Sequence, residues 1–375
     1  MRSGWGPGTG RRDVLKLGLG AGALAAMPAL SHRAWAAGGA DDATLIAAAK
    51  AEGGLNTIAL PPDWANYGEI IKTYQDKYGI PISNASPDAS SAQELQAIRS
   101  LKGQRRGPDV VDVGPSFALI GAGEGLFQPY KVSVWDTIPD DMKDAGGLWY
   151  GDYFGIVSLG VNTSAVKNPP KSWADLKKPD YKGMIALNGS PLGAAAAFAG
   201  VFAASLGNGG SLDDIGPGIQ FFAELAKSGN FTPVAATAAS ITSGQTPIVI
   251  NWDYLNLAQA QKTKGMLKID VVIPEGAPPF GNYYCQAISK YAPHPEAAKL
   301  WQEFFYSDQG QILLLKGFAH PARFADMVSR NVIPADVMAA LPPAEPYKNV
   351  KFPDSEQTKK AQKTLAEQWS KLVKS

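Results

Sequence analysis

Histidine and cysteine carry much of the nucleophilic, acid–base and metal chemistry available near neutral pH, and this chain has three of the first and one of the second. His32 lies in the opening apolar segment, while His294 and His320 each precede a proline in predicted turns, so they do not cluster. Cys285 has no partner for an internal disulfide. A hydrolase needs a base beside its nucleophile or clustered metal ligands, and no G-x-S-x-G elbow occurs. The carboxylate pairs Asp140-Asp141 and Asp213-Asp214 stand beside predicted helix starts, where acids favour the helix dipole. An exported hydrolase is disfavoured, and neither catalysis nor a cofactor is expected. The chain is instead rich in rings, with nine tryptophans and thirteen tyrosines, types that often line ligand pockets. Tyr283 and Tyr284 offer hard oxygen ligands of the kind ferric ion takes, but adjacent residues on a strand point to opposite faces. Ser90-Ser91 and Asn188-Gly189-Ser190 each stand ahead of a predicted helix. Free backbone N–H groups there favour an anion or an acceptor oxygen.

Strand-like and helix-like segments alternate from Leu55 onward, which predicts an α/β architecture with largely parallel sheets. "LNTIAL", "IPISNA" and "DVVDVG" read as strands, separated by helices from about Asn66 to Tyr78 and from Ser91. Asn66 with Glu69, and Ser91 with Glu94, have capping-box spacing. "GIVSLGVNT" is a long alternating strand. After it the pattern predicts a helix from Trp173, the strand "MIAL", and helices over Pro191–Leu206 and Asp214–Lys227. The strand "TPIVIN", a helix from Asp253, and the strands "KIDVVIP" and "NYYCQAIS" follow. The tail reads as helices over Pro295–Tyr306, Gln309–Lys316 and Gln357–Val373. Two long strands bracketing an inserted α/β unit form a hinge, and hinged lobes give a closing cleft.

The opening segment constrains the compartment. Arg11-Arg12 precede an apolar run, Leu17 to Leu30, that is too short and too rich in Gly and Ala to span a bilayer. Ala34-Trp35-Ala36 offers a small-x-small cleavage pattern. The segment reads as a twin-arginine export signal over residues 1–37, removed after export to the periplasm. Gly18, Gly20 and Gly22 do not make a phosphate loop, because no strand precedes them. Apolar residues at 45% allow a proper core, and charged residues at 18% argue against disorder. Net charge is +1 and no basic stripe is interleaved with aromatics, so a nucleic-acid partner is not expected. "KGQRR", Lys102 to Arg106, reads as a solvated turn.

The stretch "GDYFGIVSLGVNTSAVKNPPKSWADLKKPDYKGMIAL", Gly151 to Leu187, resembles the periplasmic solute-binding proteins of ABC importers. The resemblance is to the branch with two-lobed, type II topology. "DWANYGEIIKTYQDKYG", "VGPSFALIGAGEGLFQPY", "QTPIVINWDY", "VVIPEGAPPFGNYYCQAIS" and "GFAHPAR" extend it over most of the chain. The chain looks most similar to the spermidine/putrescine-binding members, with ferric-ion, thiamine and 2-aminoethylphosphonate binders as relatives. The resemblance implies an α/β, two-lobed fold in which each lobe is a mixed, mostly parallel sheet flanked by helices. Residues 38–153 and 286–375 would form the first lobe and 154–285 the second. It also implies a monomer that closes on a small solute and delivers it to the permease subunits of the importer.

That resemblance carries over to particular residues. Trp64 and Tyr67 match an aromatic pair of the polyamine binders, Trp252 a further pocket tryptophan, and Ser116 a pocket serine. Flat rings pack against an alkyl chain and face a cation with their quadrupole. Asp253 is placed to pair with an ammonium group or to serve only as a helix cap. The segment after "MIAL", acidic in polyamine binders, here reads "NGSPLGAAAAF" with no carboxylate, and Asn282 and Tyr284 replace a tryptophan and an acid near the return strand. One acid, several aromatics and two helix starts at Ser91 and Ser190 suit a ligand of both signs, so a small amine or zwitterion is expected. Ferric ion is the alternative. Where ferric binders carry adjacent tyrosines, this chain has Trp252 and Asp253, which disfavours it. Arg323 in "HPARF" is similar to a family position near the cleft, where it meets either a ligand anion or a structural ion pair.

Overall fold

The computed structural model describes residues 39–343 and 345–373; the expected export signal over residues 1–37 lies outside them. Asp42 opens α1 (Ala43–Glu52) by accepting the N–H groups of Thr44 and Leu45. β1 (Leu55–Ile58) pairs in parallel with β2 (Ile82–Ala85). Between them α2 (Tyr67–Tyr78) buries Tyr67, Ile70, Tyr74 and Tyr78 along one face. Asn66 does not close the expected box: it sits at φ 67° and gives its amide to Glu69 and the Leu313 carbonyl. α3 (Ser91–Ser100) is capped one residue earlier than expected, with the Ser90 N–H donating to Gln93. Ser91 and Glu94 are thereby released to accept the N–H groups of Gly114 and Asp112, which anchors β3 (Val110–Val113) and α4 (Pro115–Gly123).

After the short β4 (Phe127–Gln128), β5 (Tyr150–Asn162) runs for 13 residues, nearly all of them buried. A short turn of 3₁₀ helix, Asp175–Lys177, replaces the helix expected from Trp173. Pro179 disfavours helical backbone at the residue before it and leaves too few residues for an α-helix. β6 (Ile185–Leu187), α5 (Ala195–Leu206), α6 (Gly216–Ser228), β7 (Phe231–Ala235), α7 (Ala238–Thr242), β8 (Ile248–Trp252), α8 (Asp253–Lys262) and β9 (Ile269–Val272) follow. β10 (Gly281–Ser289) leads back to α9 (Pro295–Tyr306), α10 (Asp308–Lys316), β11 (His320–Pro321), α11 (Phe324–Ser329), α12 (Ala335–Ala340) and α13 (Ser355–Leu372).

The main sheet has the order β3-β10-β5-β8-β6-β7, with β4, β9 and β11 alongside. It is mixed: β10 is antiparallel to β3 and β5, while β6 is parallel to β7 and β8. β5 serves two patches. Tyr150 to Ile156 pair with β10, and Val157 to Asn162 pair with β8 and β9. The boundaries expected between the lobes fall inside β5 and β10. α13 packs on α6 and α4, and the Trp369 ring meets Phe222 and Phe231 at centroid distances of 5.6 and 6.4 Å.

The crossing of α5 and α6 is close enough to demand glycine. A Cβ on Gly218 would lie 2.1 Å from the Val201 carbonyl oxygen, which is backbone and cannot swing away. Gly218→Ala is expected to lower stability by about 1–2 kcal/mol, an overpacking cost, read as a fall in Tm. An unchanged Tm would show that the two helices separate freely.

Candidate functional site

Near the start of β5, Asp152 and Tyr153 together stand opposite one residue of β10, Tyr284, because the register shifts between Tyr283 and Cys285. A bulge of this kind interrupts strict alternation and re-aims side chains. The Tyr153 ring stacks on Tyr284, centroids 5.6 Å apart and planes 16° from parallel. Trp64, in the loop between β1 and α2, donates its indole N–H to the Tyr153 hydroxyl at 2.8 Å. Its ring lies edge-on to Tyr284 at 5.6 Å and to Tyr254 at 6.1 Å. Trp252 ends β8 and Tyr254 lies in the first turn of α8. Their rings are near-parallel at 6.5 Å, and Trp252 meets Tyr284 edge-on at 6.4 Å. Five rings from five separate elements therefore converge where β5 passes between its two patches of sheet.

Acids lie under the rings. Asp112 Oδ2 accepts the hydroxyls of Tyr67 at 2.7 Å and Tyr153 at 2.8 Å. Asp152 accepts the Gln286 amide at 3.2 Å and the Tyr153 N–H at 2.7 Å. Burial holds the Asp152 carboxyl well above the usual carboxylate range, and the Asp112 charge adds to the effect. Burial also pushes Asp112 up to about 6, against the opposing pull of hydrogen bonds from Asp152, Tyr67 and Tyr153. The buried Asp112 Oδ1 faces the Asp152 carboxyl and takes no other hydrogen bond among the described residues. Glu94, also raised by burial, closes the acidic layer beneath β3.

Of the residues expected at the site, Trp64, Trp252 and Tyr284 come together at the rings, and Tyr67 joins them through Asp112. Trp64 alone among these four is only half-buried. The buried Trp252 N–H lies near the Tyr284 hydroxyl without a well-formed hydrogen bond. The buried Tyr254 hydroxyl has no partner among the described residues. Asp253 is turned elsewhere: it accepts the Ile156 N–H at 2.9 Å and the hydroxyl of Tyr347. The Ser91 hydroxyl is buried and accepts the Gly114 N–H at 3.2 Å. Ser190 lies exposed, and α5 begins five residues later at Ala195, because Ser190 itself takes up the N–H groups of Leu192, Gly193 and Ala194. Asn282 accepts the N–H of Tyr283 at 2.9 Å. Arg323 is fully engaged with Thr137, the Tyr306 carbonyl, Asp326 and Asp308, which makes it a structural residue. Tyr283 and Tyr284 pack into different clusters, as strand geometry requires.

Ser116 is buried in the first turn of α4. The start of that helix meets the start of α5: a Cβ on Gly114 would lie 2.7 Å from the Ala195 Cβ, so only glycine allows the approach. Neither helix has a side-chain cap, which directs two positive helix ends toward one place. Asp63, beside Trp64, forms an ion pair with Lys262 at the end of α8. Among the described residues, no group of three or more His, Cys, Asp or Glu is placed to hold a metal ion, and no helix is long and apolar enough to cross a membrane.

Tyr153, Tyr254, Asp112 and Asp152 were absent from the sequence-based set. Their signals are an acid inside each of the apolar strands "DVVDVG" and "GDYFGIV", and the tyrosine two places after Trp252.

A family model described as bacterial extracellular solute-binding protein matches residues 107–361. A probable ABC transporter periplasmic-binding protein, y4fP of Sinorhizobium fredii, is 29% identical over 174 residues, covering 44% of this chain and 46% of the relative. The match thus spans about half the length of that relative. The structure of the periplasmic binding protein AfuA from Actinobacillus pleuropneumoniae, with fructose-6-phosphate bound, superposes with a TM-score of 0.68 at 18% identity, over 85% of this chain and 99% of that one. Iron-bound HitA from Pseudomonas aeruginosa gives a TM-score of 0.63 at 20% identity, over 83% and 97%. These likenesses establish a shared fold.

Proposed function

This chain belongs to the bacterial extracellular solute-binding protein family, and from that premise we propose that it is the capture component of an ABC uptake system. Its solute is a small organic amine, or a zwitterion bearing one, held between two lobes joined by β5 and β10 and passed to the permease subunits. It reaches the periplasm through the twin-arginine machinery and works as a monomer.

The observation that carries this reading is the group of five rings, Trp64, Tyr153, Trp252, Tyr254 and Tyr284, above the buried acids Asp112 and Asp152. Ring faces attract a cation most when it is stripped of water, and their flat surfaces pack against methylene groups. An anion at the same place would meet the Asp112 charge across one tyrosine. The two uncapped helix ends at Gly114 and Ala195 favour a ligand that also carries a negative group, which is why a zwitterion stands beside a polyamine.

A thermal-shift and calorimetric screen tests the reading. Putrescine, spermidine, 2-aminoethylphosphonate, 4-aminobutyrate, fructose-6-phosphate and ferric citrate serve as probes. A bound amine at about 100 times its Kd should stabilise the protein by about 2.7 kcal/mol. A response confined to the sugar phosphate or to iron would refute an amine solute.

A further inference from the structure

The sequence offers Asp253 as the acid facing the solute, but the structure gives that carboxylate two protein donors, the Ile156 N–H and the Tyr347 hydroxyl. We infer that Asp112 is the counter-ion of the solute's cationic group, reached through Tyr153 and Tyr254, and that cation uptake is coupled to the protonation of this one carboxylate. The inference rests on the reading that the solute carries an amine.

Three observations support it. Asp112 is tied directly to the ring cluster, since Tyr153 donates to it and Trp64 donates in turn to Tyr153. The Tyr254 hydroxyl is buried and without a partner among the described residues, and it lies in the fields of Tyr284, Asp112, Asp253 and Asp152, so a polar acceptor or donor is presented to the same place from α8. Finally, among the described residues no lysine, arginine or histidine contributes to the charge balance of Asp112. A buried carboxylate without a cation is costly, and an incoming ammonium supplies what the fold does not.

The groups surrounding Asp112 are all acids or neutral. Glu94 approaches from α3, Tyr67 from α2, and Asp152 and Tyr153 from β5. Tyr254 adds its field from α8, Tyr284 and Cys285 theirs from β10, and Tyr306 its own from α9. Burial raises Asp152 and Glu94 well above the usual carboxylate range and pushes both Asp112 and Asp253 up to about 6, so these two change charge within the working range, and of them Asp112 is the one that holds the Tyr153 hydroxyl. An ammonium favours the ionised form. Above about pH 6 it finds Asp112 already ionised; below, a proton must leave Asp112 for solvent before the pair forms.

Titration calorimetry with putrescine, and with 4-aminobutyrate as a zwitterion, decides the matter on the unaltered protein in two buffers of different ionisation heat. At pH 5 about one proton should be released per solute bound, and at pH 7.5 close to none. Affinity should fall by about tenfold per pH unit below pH 6. Asp112→Asn should abolish both the proton release and the pH dependence and weaken binding, while Asp253→Asn keeps all three. Should the Asp112 variant fail to fold, the proton count still stands as the test. Binding with no proton release at pH 5 overturns the role of Asp112 alone and leaves an amine solute in place. Release of about one proton at both pH values also overturns the role of Asp112, whose charge changes near pH 6. If neither amine binds at either pH, the amine reading and this inference fall together.

Discussion

Replacing Trp64 by alanine is expected to weaken solute binding by about 30-fold or more, which corresponds to about 2 kcal/mol for a truncated aromatic anchor. The fold should survive, because Trp64 is half-buried and sits in a loop, packed against the core rather than within it. Its loss removes one wall of the ring cluster and the N–H that orients the Tyr153 hydroxyl, leaving Tyr153 free to rotate away from Asp112. Trp252 makes a poorer probe. It is only 1% exposed, so Trp252→Ala should lower stability by about 3–5 kcal/mol, and a change in affinity would be entangled with partial unfolding. Trp64→Phe should recover part of the affinity by restoring a ring without the N–H donor. Calorimetry with the solute found in the screen, alongside a denaturant titration, separates the two effects. Wild-type affinity in Trp64→Ala would remove the ring cluster from the binding site.

The elements that position this site were largely legible in the sequence, because periodic apolar patterns report burial directly. α9 runs from Pro295 to Tyr306 as its amphipathic spacing requires, and β5 and β10 follow from their long apolar runs. α1 was not legible: its alanines have no apolar stripe, and packing on α9 is what fixes it. The start of α5 was misplaced because Ser190 folds back on the N–H groups that follow it, a local turn competing with the helix. The site itself was half legible. Trp64 and Trp252 stand out by type and by resemblance, whereas Tyr153 depends on a bulge that no alternation pattern reveals. Asp253 shows the reverse failure. Its sequence position beside Trp252 suggested a ligand contact, but the direction of an N-terminal helix side chain depends on what packs over it, and here that is Tyr347. The acids that do lie beneath the rings were hidden in apolar strands, where an isolated carboxylate signals either a strain on the fold or a purpose.

The Asp253 result has a sharp consequence for stability. Asp253→Asn is expected to stabilise the protein by about 2–3 kcal/mol at pH 7.5 and to change it little at pH 4. Burial pushes Asp253 up to about 6, although Tyr347 and the backbone N–H of Ile156 pull the other way. In the unfolded chain the same carboxyl titrates near the ordinary value of about 3.9. A group whose folded value is raised favours the fold below its unfolded value, and that contribution is lost as pH rises through the folded one. At pH 7.5 the native protein therefore holds a buried anion that the unfolded chain would solvate. Asparagine removes the charge, keeps an oxygen for the Ile156 N–H, and turns an amide toward the Tyr347 hydroxyl oxygen, so neither neighbour is stranded. Urea titrations of both proteins at the two pH values check the sign. Destabilisation at pH 7.5 would mean that two charged hydrogen bonds outweigh the cost of burial. Solute affinity should be unchanged in the same variant, because the ring cluster rests on Asp112 and not on Asp253.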